Sequence, residues 1–236
     1  MINYDKSFII TVGKVGSSTI YHSLCKSKKV SHHGHSLGWF KDIMQNKKNV
    51  LFIVGVRNPI KRNLSYFFQT YKNDYFNEIK TKKNNYKGEY CYIEKLIDNQ
   101  DVSLFVEEFK NFKYHFTFND WFYEFFELNN IKDFDKDKGY SIYDLDNNNK
   151  LLVYTLEKLD SNKDDLCKLL DIKKLTDYNT ASQKGYKSLY DKVRDKVNYT
   201  PEHIDKLLNT DIMRFFYNQD TINNFKLDAN KKKNIS

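Results

Sequence analysis

At 236 residues, with 40% apolar side chains including 18 Tyr and 18 Phe, the chain suits one domain with a single aromatic-rich core. Its 39 basic and 31 acidic residues give a net charge of +8, which favours anionic partners, yet the Lys and Arg are dispersed and no nucleic-acid motif accompanies them. No apolar run reaches the roughly 18 residues of a membrane span, and Cys25, Cys91 and Cys167, odd in number and far apart, argue against a disulfide framework and for free thiols in a reducing compartment.

Residues 7–12 read as a buried strand. The run Phe8-Ile9-Ile10-Thr11-Val12-Gly13-Lys14-Val15-Gly16-Ser17-Ser18-Thr19 carries it through a loop into a helix over 17–27. Exposed N–H groups at a helix start, together with the helix dipole, attract phosphate or sulfate. Lys14 adds a mobile positive charge, and Ser17, Ser18 and Thr19 add short donors to anionic oxygens. Walker A places its lysine after the second glycine, with a hydroxyl next to it for magnesium. Here Lys14 precedes Gly16 and is followed by Val15. The expectation is an anion site that works without a metal ion.

A short extended piece near 29–32 and a helix over 37–46 come next. Among them lies Ser31-His32-His33-Gly34-His35-Ser36, with three of the six histidines. Neutral imidazole can take a proton near neutral pH. Three histidines could also bind zinc, although no Cys, Asp or Glu stands near them at ligand spacing. A plain surface cluster is the third reading.

The strand 50–56 ends in Arg57, where a P-loop enzyme would be expected to hold magnesium with an acid. Asn58 suits an N-cap and Pro59 the first position of a helix over 59–72. Ile60, Leu64, Phe67, Phe68 and Tyr71 share one face of it and should pack on the sheet, with Ser65 on the flank of that stripe. Arg57 and Ser65 then converge on one anion. The alternative is an arginine paired with a carboxylate and a serine tolerated within a helix.

Residues 73–100 are rich in Lys, Asn and Tyr and read either as a loop region bordering a cleft or as an ordinary solvated insert. Helices are expected at 102–112 and 119–128. A hairpin-like or irregular stretch follows over 131–149, with a turn signal at Asp144-Leu145-Asp146-Asn147-Asn148-Asn149. Asp144, Asp146 and Glu157 do not fit the calcium-loop pattern. A strand at 151–156 and helices at 160–170, 186–197 and 202–217 complete the domain, 1–225, and 226–236 read as a solvated tail. Strands alternating with helices imply an α/β fold with a parallel sheet.

Two anion sites at the carboxyl ends of two strands suit a nucleotide phosphorylated at both its 5′ and 3′ positions. Gly-Lys-Val-Gly-Ser-Ser-Thr followed by Val-Arg-Asn-Pro-x5-Ser resembles the two cofactor motifs of sulfotransferases that use 3′-phosphoadenosine 5′-phosphosulfate (PAPS). The resemblance implies that Lys14, Val15, Gly16, Ser17, Ser18 and Thr19 hold the 5′-phosphosulfate, and that Arg57 and Ser65 hold the 3′-phosphate. His33-Gly34-His35 is similar to a segment of the uronyl 2-O-sulfotransferases in which a histidine is the catalytic base. This implies His35 as base, His33 as a second active-site histidine and Lys14 as a catalytic cation.

Asn119–Glu124, Lys138–Tyr143 and Leu151–Leu159 are similar to a bacterial family of capsular polysaccharide synthesis proteins among the sulfotransferase-like enzymes. Together the resemblances imply a three-layer α/β/α, P-loop-like sulfotransferase fold with a central parallel sheet. They imply sulfuryl transfer from PAPS to a carbohydrate hydroxyl, with adenosine 3′,5′-bisphosphate as product and no metal. Tyr71, Lys72, His115 and Trp121 are candidates to line the acceptor cleft, or are ordinary core and surface residues.

Two departures stand out: Gly13 replaces a proline often found before the family's lysine, and Gln183-Lys184-Gly185 stands for the Arg-Lys-Gly of the soluble enzymes. By that partial match Lys184 and Gly185 are expected to close over the 3′-phosphate. Lacking the membrane anchor of Golgi glycan sulfotransferases, the chain is expected to be cytoplasmic. The rivals are a P-loop-like kinase or nucleotide hydrolase, and a non-catalytic nucleotide- or glycan-binding protein on the same fold.

Overall fold

Short strands with apolar centres, wholly apolar over Val50–Val56, set between amphipathic helices have one economical solution, a sheet covered on both faces. The computed structural model describes residues 1–35, 37–68, 101–111, 122–125, 127, 131–177 and 187–230. It begins with β1 (Lys6–Ile10), α1 (Ser17–Lys26), β2 (Ser31–Gly34), α2 (Leu37–Asn46) and β3 (Val50–Val56). A helix α3 follows over 59–68, then α4 (Val102–Lys110) and a helical segment at 122–125. The chain continues with β4 (Tyr140–Leu145), β5 (Asn149–Thr155), α5 (Lys163–Leu170), α6 (Lys187–Lys196), α7 (Pro201–Leu208), α8 (Asp211–Phe216) and α9 (Gln219–Asn230).

The five strands run in the order β2-β1-β3-β5-β4, with the first four parallel and β4 antiparallel to β5. Alternation along the strands divides the core in two. Phe8, Ile10, Phe52, Val54, Leu151 and Val153 face a large cluster with Phe40, Leu64, Phe67, Phe105, Phe109 and Phe216. Ile9, Leu51, Ile53, Leu152 and Tyr154 face a smaller one with Ile20, Leu24, Leu166 and Leu170. Helices α1 and α5 thus cover one face, and α2, α3, α4 and α6–α9 the other, which makes three layers. Each fully buried Phe or Leu contributes about 1.5–3 kcal/mol over leaving it in water.

Four expectations are corrected. The extended piece near 29–32 lies at Ser31–Gly34, because it pairs with β1 from Ser7↔Ser31 to Ile10↔Gly34. The sheet is mixed, since the turn at Asp146–Asn148 folds β4 back on β5 as a hairpin. The helix expected over 202–217 is two, because the Thr210 hydroxyl accepts from Met213 N at 3.2 Å and starts a new helix. Residues 226–230 belong to α9 rather than to a tail: Ala229 is buried and Lys226 pairs with Asp205. The expectations for 73–100 and for 231–236 concern residues outside the described ones.

Candidate functional site

In a parallel sheet all strands end on one edge. Here β1 is followed by Thr11–Gly16, β2 by His35, β3 by Arg57 and β5 by Glu157. The chain leaves β1 for β2 on one side and later returns to β3 on the other. That reversal opens a crevice at the carboxyl ends of β1 and β3, the place where open α/β sheets bind ligands.

The loop after β1 is held by four side chains, each from a different element or junction. Thr11 O accepts from His35 Nδ1 at 2.6 Å, and Val12 O from Arg62 Nη2 at 3.0 Å. Lys14 O accepts from Arg57 Nη1 at 3.1 Å, and Val15 O from Tyr154 Oη at 2.9 Å. The backbone is left-handed at Gly13 (φ 80°), Lys14 (φ 63°) and Gly16 (φ 79°), but not at Val15. Left-handed residues on both sides of Val15 are a backbone pattern that suits an anion-binding nest of N–H groups. Gly16 occupies the N-cap of α1 and supplies no side-chain cap, so the helix start depends on other acceptors. A Cβ at Gly16 would lie 2.6 Å from Leu156 Cδ1, a side-chain end that can turn aside, so it is the left-handed φ that calls for glycine there.

Two of the supports were not legible as such. Tyr154 is fully buried, and burial pushes its ionisation far above the ordinary tyrosine range, so it remains a donor. It reaches Val15 only past Gly55, where a Cβ would stand 2.6 Å from Tyr154 Oη and 2.8 Å from Val15 Cγ2. Arg62, to which sequence reasoning gave no role, is 4% exposed and lies over the Tyr66 ring at 4.4 Å. Burial, and less so the nearby Arg57, lower its pKa to about 10, which leaves it cationic at neutral pH beneath the loop. The available signal was an arginine between the inward positions Ile60 and Leu64.

The corner after β3 assembles as its spacing suggested. Arg57 Nη1 donates to Ser65 Oγ at 3.1 Å, and Ser65 Oγ lies 3.3 Å from Tyr190 Oη. Asn58 caps α3 by accepting from Ile60 N at 2.9 Å. Glu157, whose part here was missed, accepts Asn58 N–H at 2.9 Å through Oε1 and the Tyr217 hydroxyl at 2.8 Å through Oε2. Its carboxylate fixes the backbone next to Arg57. A cleft of about 300 Å³ opens beside this corner, walled by Asn58, Lys61, Leu64, Tyr190 and Tyr199.

No family model, curated protein or solved structure matches this chain.

The histidine run divides by strand alternation. His32 stacks on Phe8 at 4.7 Å, on one face, while His33 and His35 come together with ring centroids 5.1 Å apart. His33 Nε2 lies 3.0 Å from Ser17 Oγ, and burial, then His35 and His22, push its pKa down to about 4. His35 is exposed and donates Nδ1–H to Thr11 O, so its Nε2 is the nitrogen with the lone pair. Its Cε1 lies 3.8 Å from where a Cβ on Gly13 would stand, against the nest.

Lys14, Gly16, Ser17, Ser18, His33, His35, Arg57 and Ser65 therefore lie on neighbouring segments at the carboxyl ends of β1, β2 and β3, whereas Val15 is wholly buried. Ser17 is buried and engaged with His33, and Thr19 is buried in the first turn of α1. Lys184 and Gly185, with Tyr71, Lys72, His115 and Trp121, lie outside the described residues. Among the described residues no group of three His, Cys, Asp or Glu is placed to hold a metal ion, and no helix is long and apolar enough to cross a membrane.

Proposed function

We propose that this chain is a PAPS-dependent sulfotransferase that acts on a hydroxyl of a carbohydrate, of the capsular or surface polysaccharide kind. The observation that carries the reading is the shared hydrogen bonding of Arg57. It links the loop after β1 to the Ser65 corner, so two groups of donors suited to anions adjoin at the switch point. A ligand with phosphate at both ends of one adenosine suits that pair, and the cleft walled by Asn58 and Tyr190 offers space for the nucleoside. The +8 charge suits an anionic acceptor as well as the nucleotide.

PAPS supplies an activated sulfuryl group; the residues of this chain bind, orient and move the proton. Arg57 and Ser65 hold the 3′-phosphate, remote from the reacting atoms. The nest, Lys14 and the start of α1 hold the phosphosulfate and stabilise charge that builds on its bridging oxygen. His35 Nε2 takes the proton of the acceptor hydroxyl, and the bond from Nδ1 to Thr11 O fixes the tautomer and steadies the imidazolium. His33, neutral under these conditions, orients Ser17 beside the nest. Lys184 and Gly185 are assigned to the 3′-phosphate by the partial match of Gln183-Lys184-Gly185 to the Arg-Lys-Gly motif alone. The free thiols Cys25 and Cys167 suit a cytoplasmic enzyme.

The test is incubation with PAPS and a panel of polysaccharides in the presence of a chelator. Adenosine 3′,5′-bisphosphate should form together with a sulfated glycan. Magnesium-dependent release of phosphate from ATP, with PAPS left intact, would replace this reading with a nucleotide hydrolase.

A further inference from the structure

The guanidinium of Arg57 does more than face one ligand. A single nitrogen, Nη1, carries two hydrogens, and it has two acceptors at 3.1 Å: Lys14 O in the loop after β1 and Ser65 Oγ in α3. Ser65 is tied in turn to Tyr190 of α6 at 3.3 Å. A continuous chain of hydrogen bonds therefore runs from the nest, through the second pocket, to the helix beyond. Lys14 is a non-glycine residue held in the left-handed region, a conformation that persists only where its surroundings hold it. The bond from Arg57 to its carbonyl is one such constraint. The Nη2 and Nε donors lie on the other edges of the planar fork, the geometry that takes two phosphate oxygens at once.

We propose that Arg57 is a positioning residue for the phosphosulfate loop in addition to a ligand of the 3′-phosphate, so that the two anion pockets are energetically coupled. This rests on the sulfotransferase reading. Filling the second pocket orders Arg57, and an ordered Arg57 holds Lys14 and the nest in the shape that grips the 5′ end. By reciprocity, a ligand at the nest prepares the second pocket. A side chain that can lose one of its two Nη1 acceptors should lose part of this hold, even towards a ligand that never enters the second pocket.

The probe is adenosine 5′-phosphosulfate, which has the 5′ end of PAPS and no 3′-phosphate. Its binding is measured by calorimetry to wild type, Ser65→Ala and Arg57→Lys. Arg57→Lys keeps the charge and removes the planar fork. Coupled pockets predict that Ser65→Ala binds the probe roughly 3–10-fold more weakly and Arg57→Lys about 10-fold more weakly, within the range of site-to-site coupling. Tyr190→Phe, which unties Ser65 from α6, should lower probe affinity about twofold, and it decides the matter should Ser65→Ala prove unfolded by its thermal midpoint.

Unchanged probe binding in these variants, with weakened binding of adenosine 3′,5′-bisphosphate, would overturn the coupling and leave the two-pocket reading intact. A wild-type protein that does not distinguish the bisphosphate from AMP would remove the second pocket altogether, and the coupling with it.

Discussion

The corner after β3 and the loop after β1 each suit an anion, and they are made of different things. At the corner, side chains offer the donors: Arg57 and Ser65 stand eight residues apart on one strand-helix junction and meet at 3.1 Å. At the loop the candidate donors are backbone N–H groups, and side chains from β5, α3 and the ends of β2 and β3 hold its carbonyls in place. A site made of side chains can be read from local spacing. A site made of backbone is only as good as the distant residues that shape it.

The comparison is sharpest for one residue from each region, His35 against the loop and Arg57 at the corner. Replacing His35 by Ala should cut turnover by roughly 10²–10⁴ while leaving nucleotide affinity near wild type, because the group lost is the proposed base and holds only one loop carbonyl. Steady-state kinetics beside calorimetry separate these effects; normal turnover in this variant would remove His35 from the base role. Replacing Arg57 by Ala should act chiefly on binding, weakening adenosine 3′,5′-bisphosphate by about 2–4 kcal/mol. A fall in turnover with unaltered binding would place Arg57 at the reacting atoms instead.

The loop also makes stability depend on pH. Native His33 remains neutral down to about pH 4, whereas an unfolded histidine titrates near 6.5. Between these values the unfolded chain binds more protons, so stability rises with pH and is lost as pH falls from about 6.5 to about 4, by about 1–2 kcal/mol once solvent screening of the half-buried ring is counted. Urea titrations of wild type and His33→Asn across that range should diverge at low pH, with the variant flatter; parallel curves would show that His33 titrates as if exposed.

A smaller effect isolates the support beneath the nest. Gly55→Ala places a Cβ against Tyr154 Oη and Val15 Cγ2, and should destabilise by about 1–3 kcal/mol through overpacking. Its nucleotide affinity should fall with its stability, since Tyr154 is pushed from Val15 O. A variant as stable as wild type would show that the hydroxyl is not needed there.

Much of this was visible in the sequence because it is local. Apolar runs marked β1, β3 and β5, Asn58-Pro59 marked the start of α3, and the spacing of Arg57 to Ser65 marked two side chains that meet. What escaped notice depends on long-range geometry. Arg62 reaches Val12 fifty residues back, Tyr154 crosses to Val15, and Glu157 holds Asn58 from the end of another strand. None of these pairs has a fixed spacing, so each looked like an ordinary core or surface residue. The extended piece before the histidines was misplaced for the same reason. Its register is set by pairing with β1, and that register separates His32 from His33 and His35. The break at Thr210 was legible in principle, since a threonine followed by an acid can cap a helix, but the apolar period runs on across it.

The most direct measurement is calorimetric titration of the wild-type protein with adenosine 3′,5′-bisphosphate, AMP and ATP, each with and without magnesium. Two adjoining anion pockets predict that the bisphosphate binds at least about 30-fold more tightly than AMP, the equivalent of roughly 2 kcal/mol for the second phosphate, and that magnesium changes nothing. Equal affinity for the three nucleotides, or a preference for ATP that appears only with magnesium, would contradict the account.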